Sequence, residues 1–362
     1  MPVCLVDDER SIARYSRYTE VARKVPSLLD PKEAVATLLE FGQAQKLSGW
    51  VLYPTRDEQV AALSQNRVEL SKMFRVPTPP WETVKWLWDK RNTYDLAEKL
   101  SIPTPRTWYP CSLESLDQIE FQFPVAIKPA IKEHFIYTTK QKAWRADTLD
   151  QLRDQFTRAL RFLPAGEIMV QDLIPGDGSC QYAYCAFFKH GNSVAHLTVC
   201  RQRQHPFEFG RSSTYVETVE LPLLKEYSER FLHAIEYYGL VEMEYKRDLR
   251  DGQYRLLDVN GRTWGYHTIG RRAGVDFPYL LFADQMNEPI EYCEGKAGVR
   301  WVRLITDLPT GFLGILNGHL KGRAYFRSLL HYDEEAVFSL EDPLPGMVEL
   351  ALIPYLSVKR GF

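Results

Sequence analysis

The chain has 362 residues, 45% hydrophobic and 25% charged, proportions that exclude a collagen-like, coiled-coil or wholly disordered protein. Lys and Arg total 45 against 47 Asp and Glu, a net charge of −2, so the basic excess of a dedicated nucleic-acid binder is missing. No apolar run approaches the roughly 20 residues that span a bilayer, and Met1 to Arg10 turns acidic too early for a secretory signal. The six cysteines are scattered, with no C-x-x-C pair, and read as reduced thiols of a cytoplasmic protein. At about 150 residues per domain, two to three lobes are expected.

The first third alternates strand and helix. Val3 to Asp7 reads as a strand, and Asp30-Pro31 opens a helix with proline where its missing N–H costs nothing. Gly49 to Pro54 reads as a second strand, followed by a helix whose capping box is Thr55 with Glu58. This order predicts a parallel sheet covered by helices, entered one strand late for a nucleotide-binding lobe. Trp81 to Lys99 reads as one helix, rich in Trp and Lys. Its Trp81–Trp88 stretch is a candidate dimer interface, or a face buried on the central lobe. The prolines around Ile102-Pro103-Thr104-Pro105 place a boundary near residue 100.

Three later segments carry chemistry. Phe123 to Pro129 is a buried strand with Lys128 near its end. Glu167 to Gly176 is a strand that runs into a polar hinge and stops at Pro175-Gly176. Leu240 to Tyr245 and Tyr254 to Asn260 form a hairpin around Asp251-Gly252. Alternate strand residues share a face, so Glu242 and Glu244 point one way, as do Asp258 and Asn260. Brought together, Glu244, Asp258 and Asn260 offer hard oxygen ligands suited to Mg²⁺. The solvated face of an antiparallel strand gives the same pattern, and a lysine at a strand end can simply reach water.

In order and spacing the three segments resemble the ATP-grasp superfamily. The stretch Leu257 to Gly265 with Ala273 to Leu281 is similar to its bacterial carboxylate–amine ligases of the D-aspartate ligase-like group. The likeness covers roughly residues 85 to 285 well and the first 80 more loosely. It implies an α/β fold: an N-terminal parallel α/β lobe at 1–100, a small ATP-grasp lobe at 101–172, a large lobe at 173–298 with the metal site, and an appended subdomain at 299–362. It also implies an ATP- and Mg²⁺-dependent ligase (one or two ions, Mn²⁺ as a substitute) that joins an acid to an amine through an acyl phosphate. Acid–thiol ligation, phosphoryl transfer and a non-catalytic nucleotide-binding module are the alternatives.

Residue by residue, the resemblance gives Lys128 and Lys142 to the ATP phosphates, with Lys140 and Lys132 as rivals of Lys142. It gives the backbone of Gln171, Asp172 and Ile174 to the adenine edge, and Gln181 to the ribose position, with Asp177 as its substitute. Glu244, Asp258 and Asn260 match the metal ligands, and Arg262 would meet the γ-phosphate or the acyl phosphate. Three features depart from the family pattern. The segment Ala130 to Phe135 lacks the phosphate-loop glycines, Asp258 stands for Glu, and Gly261 stands for Pro.

On the substrate side, Arg203 is expected to orient a carboxylate, with Arg201 and Arg211 as rivals, and His267, Arg271 and Arg272 form a second basic patch. The expected partners are a small-molecule acid and amine, with no nucleic acid and no membrane, and with a homodimer as an open option. Beyond residue 300 the apolar tail is expected to pack on the core.

Overall fold

The computed structural model describes residues 1–355. At the N-terminus β1 (Val3–Asp7) and β2 (Thr19–Lys24) pair in parallel. The helix Pro31–Ala44 starts as its sequence predicts, with Asp30 accepting from the Glu33 N–H at 2.9 Å. The expected strand at 49–54 shrinks to a parallel bridge between Val51 and Arg75, because Pro54 has no N–H with which to extend the ladder. In the helix Asp57–Gln65 the side chain that reaches back is Gln59, not Glu58: its Oε1 accepts from the N–H groups of Thr55 and Arg56.

The expected single helix over 81–99 is two, Trp81–Trp88 and Lys90–Lys99, broken at Asp89. Asp89 caps the second by accepting from the Arg91 N–H, while Asn92 and Thr93 donate to the last carbonyls of the first at Lys85 and Trp86. Side-chain caps on both sides of one residue stabilise a break that hydrophobic periodicity alone does not show.

A small antiparallel sheet follows, made of β3 (Thr107–Trp108), β4 (Val125–Pro129), β5 (Trp144–Ala146) and β6 (Ile168–Asp172) in the order β3-β6-β4-β5. Between β4 and β5, where glycines are absent, the chain forms the helix Lys132–Thr139 rather than an open loop. The large sheet contains β7 (Gln181–Lys189), β8 (Asn192–His205), β9 (Ser212–Val219), β10 (Gly239–Arg247), β11 (Tyr254–Asn260), β12 (Cys293–Glu294), β13 (Arg300–Val302) and β14 (Glu334–Glu335). Its order is β11-β10-β7-β8-β9-β13-β14, with β12 on β8. Both faces are covered. Along β7, Tyr184, Ala186 and Phe188 enter one core with Phe231 and Tyr245, while Ala183, Cys185 and Phe187 enter another with Trp264, Phe277 and Trp301. The mixed α/β architecture agrees with the sequence reading.

The C-terminal helices Leu304–Leu316 and Gly322–Leu329 are fixed to the large sheet by one buried ion pair. Arg203 of β8 donates from Nε and Nη2 to both oxygens of Asp307, each at 2.8 Å, and its guanidinium lies over the rings of Tyr215 and Tyr325. The apolar tail does not bury its apolar side chains as expected. In the helix Leu344–Ala351 the small residues Pro345 and Gly346 face inward and Met347 and Leu350 are exposed; residues 356–362 lie outside the described residues.

Asp307→Ala should lower stability by about 3–5 kcal/mol, since it leaves the Arg203 charge buried and unpaired. In urea unfolding, the double variant Arg203→Met with Asp307→Leu should recover most of that loss. Equal destabilisation by both would mean that the pair is not what holds these helices.

Candidate functional site

A cleft of about 590 Å³ runs between the two sheets, closed at one end by the hinge from Asp172 to Gly178 and reached at the other by Lys128, Lys142, Glu244 and Asp258. Lys128 projects from β4 and donates to Gln171 Oε1 at 3.1 Å, so the Gln171 amide, which also donates to Thr107, aims the lysine. Burial pushes the Lys128 ammonium down in pKa, against the pull of Asp258 and Glu244. Lys142 makes no hydrogen bond to any described residue. Burial lowers its pKa to about 8, with Glu244 opposing. A half-buried ammonium without a partner is poised to accept an anion.

Opposite the lysines, the hairpin register pairs Glu244 with Asp258 and Glu242 with Asn260, directly across β10 and β11. The Asn260 amide donates to Glu242 Oε2 at 3.1 Å and to Glu244 Oε1 at 3.2 Å. Cations stabilise this buried ladder: Arg201 Nη2 bonds Glu242 at 3.0 Å and Glu244 at 2.7 Å, and Lys90 bonds Asp258. Burial raises the Glu244 pKa, but Arg201 and Lys142 outweigh it and hold the carboxyl at about 2. Asp258 is held low against burial by Lys90 and Lys132.

Arg262 leaves the end of β11 toward the N-terminal segment, where Nε and Nη2 meet the two oxygens of Asp57 at 3.0 and 3.2 Å. Lys132, at the start of the helix that replaces the phosphate loop, bonds the same carboxylate. Burial disfavours the Asp57 charge, yet Arg262 and Lys132 keep its pKa at about 2.

At the hinge the Asp172 N–H donates to the Arg106 carbonyl at 2.9 Å, and Asp172 Oδ1 is buried without a partner. The Ile174 N–H has no partner among the described residues. Gln181 and Asp177 both line the cleft; Gln181 Oε1 lies 3.5 Å from Arg201 Nη1, and Asp177 accepts from Ser179. Arg203 also lines the cleft. Its guanidinium is spent on Asp307 and on Ser328 Oγ at 2.8 Å, so it is not free to take a substrate carboxylate. Of its rivals, Arg201 is held by Glu242 and Glu244, and Arg211 donates to the Lys140 carbonyl at 3.2 Å. His267 is half-buried and bonded to the Trp264 carbonyl, and Arg272 pairs with Glu334.

Sequence reasoning missed Lys90 and Asp57 and gave no site role to Glu242. Lys90 follows the capping residue Asp89, and Asp57 opens a helix in the first lobe. Each meets a partner more than 160 residues away, at Asp258 and Arg262.

Among the described residues no three His, Cys, Asp or Glu side chains gather as a metal site. Glu244, Asp258 and the Asn260 amide still fit Mg²⁺, which is commonly held by one or two carboxylates plus phosphate oxygens. The unpartnered Lys142, the aimed Lys128 and the free Ile174 N–H fit a phosphate-bearing ligand with a hydrogen-bonding base.

No protein-family model matches the chain. It is 26% identical over 309 residues to D-aspartate ligase of Enterococcus faecium (strain Aus0004), covering 78% of this chain and 70% of that protein. Among solved structures, the L-amino acid ligase from Bacillus licheniformis superposes with a TM-score of 0.55 at 17% identity, covering 76% of this chain and 64% of the ligase. The biotin carboxylase domain of Hydrogenobacter thermophilus 2-oxoglutarate carboxylase, solved with MgADP and bicarbonate, gives 0.65 at 15% identity over 83% of this chain and 68% of that one.

A phosphate ligand held by Lys142 should bind less tightly as pH rises through about 8, where the free lysine loses its proton. ADP titrated between about pH 7 and pH 9 should show this decline in the native chain and not in Lys142→Met. A slope unchanged by the substitution would remove Lys142 from the binding set.

Proposed function

The chain has the ATP-grasp fold, with a D-aspartate ligase among its relatives, and on that premise we propose that it is an ATP- and Mg²⁺-dependent ligase joining a carboxylate to an amine. The observation that carries the reading is the confrontation of Lys128 and Lys142 with Glu244 and Asp258 across one cleft, with Asn260 beside them on β11. The relatives named for D-aspartate and L-amino acids favour an amino acid as one substrate.

ATP, when bound, supplies an activated phosphoryl group that the substrate carboxylate takes as an acyl phosphate, from which the amine displaces phosphate. Lys128 and Lys142 would bind and neutralise phosphate oxygens, with Lys90 and Lys132 beside them. Glu244, Asp258 and Asn260 would hold Mg²⁺. The Ile174 N–H would fix the adenine edge, and Gln181 or Asp177 the ribose. Arg262, now held by both oxygens of Asp57, would reach the transferred group only by exchanging that partner for it. The work assigned to the protein is positioning and charge neutralisation, which needs no nucleophilic side chain. The partition into lobes at 1–100, 101–172, 173–298 and 299–362 belongs to the same proposal.

ATP with Mg²⁺ at about 100 times Kd should stabilise the chain by about 2.7 kcal/mol, read as a rise in Tm. Asp258→Ala should lose the Mg²⁺-dependent part of that rise, and phosphate release with an amino-acid panel that includes D-aspartate should fall at least about 100-fold. A full rise in Tm with no phosphate release from any acid and amine pair would leave a nucleotide-binding module in place of a ligase.

A further inference from the structure

Beside the nucleotide cleft lies a second, more open basin of about 880 Å³ between the large sheet and the C-terminal helices. It shares Asp177, Gln202, Arg203 and Leu320 with the cleft, so the two spaces adjoin. Five cationic side chains line it (Arg203, Arg300, Lys321, Arg323 and Arg327), against two carboxylates, Asp177 and Glu217.

Two of these cations are already neutralised. Arg203 is paired with Asp307, and Arg300 Nε bonds Glu217 Oε1 at 3.1 Å. The side chains of Lys321, Arg323 and Arg327 have no hydrogen bond or ion pair to any described residue. Asp177 is the one remaining acid in the lining, and its Oδ1 is occupied by the N–H and hydroxyl of Ser179.

The floor is rigid where the rim is free. Tyr215 donates its hydroxyl to the carbonyls of Ser328 and His331, and Tyr325 donates to the Asp307 carbonyl at 3.1 Å. The Arg203 guanidinium lies between these two rings. His331 directs its Nδ1 to the Arg327 carbonyl at 2.8 Å, so its other ring nitrogen is left for a ligand. Arg323 and Arg327 are one helical turn apart and present two planar donor forks side by side, a geometry that matches oxyanions.

We propose that this basin is a second ligand site, which takes a small molecule carrying two or more phosphate or carboxylate groups, with Arg323 and Arg327 as its principal contacts. Excess positive charge in a concave, partly shielded space concentrates such anions and strengthens each charge-assisted bond. The inference stands on the basin alone and does not require the ligase reading.

The test uses inorganic pyrophosphate and citrate as probes, each titrated calorimetrically into the full chain at fixed ionic strength without Mg²⁺. Lys128→Met with Lys142→Met serves as the background in which the cleft's own phosphate lysines are gone. Pyrophosphate should still bind this background, and adding Arg323→Ser with Arg327→Ser should weaken it at least about tenfold. Both arginines are exposed, so melting should be unchanged. Citrate binding that falls in parallel would extend the site to carboxylates; citrate that never binds would restrict it to phosphates. Failure of both probes to bind at millimolar concentration, or binding indifferent to the arginine pair, overturns the proposal. MgADP titrated into Arg323→Ser with Arg327→Ser, on an otherwise native chain, reads the nucleotide cleft separately.

Discussion

Two carboxylates held directly opposite one another on adjacent buried strands repel, and each is driven toward its neutral form by loss of water. In this protein Glu244 and Asp258 are such a pair, and their surroundings are built to keep them charged. Arg201, Lys90 and Lys142 surround them, and the Asn260 amide donates into the ladder. Opposing forces of this size balance only when every partner is in place. On the function proposed above, a metal cation would relieve the carboxylates and phosphate oxygens would take over the lysines.

The balancing groups come from segments far apart in the chain. Lys128 and Lys142 belong to the small sheet and its connections, Lys90 and Asp57 to the N-terminal helices, and Arg201, Glu244 and Asp258 to the large sheet. Asp57 joins Arg262 to Lys132, so one carboxylate ties the residue just beyond the end of β11 to the helix Lys132–Thr139. That helix forms because the segment from Ile131 to Thr139 contains no residue that favours an open turn, and its start carries Lys132 into the cleft.

What could be read from the sequence follows from which forces are local. Alternation along β10 and β11, with Asp251-Gly252 between them, is local, and it sets Glu242 with Glu244 and Asp258 with Asn260 on shared faces. The helix start at Asp30-Pro31 and the strand that ends near Lys128 are local too. The break at Asp89 was hidden because Trp81 to Lys99 keeps a helical apolar pattern through it, and the caps from Asn92 and Thr93 act only once the two helices are placed. Lys90 and Asp57 look like ordinary surface charges until tertiary structure brings Asp258 and Arg262 to them. No spacing rule reaches over such separations.

The misreading of Arg203 has a geometric cause with wider consequences. On an undistorted strand Arg201 and Arg203 would share a face, and the run Arg201-Gln202-Arg203 reads as one basic edge. Between Cys200 and Arg203, however, β8 has three steps where β9 has two, from Glu217 to Tyr215. That extra residue is a β-bulge, which breaks the alternation between Arg201 and Arg203; from Arg203 to Gln204 the extra residue lies on β9, between Tyr215 and Ser213, and the register is recovered. Arg201 is thereby free to lie over Glu242 and Glu244, and Arg203 to enter Asp307 and fix the C-terminal helices. Restoring regular alternation would bring the two guanidiniums to the same side, leaving either the carboxylate ladder or Asp307 without its cation. The irregular stretch thus joins the cleft to the basin beside it: the same local distortion supplies the charge balance of the first and the wall of the second.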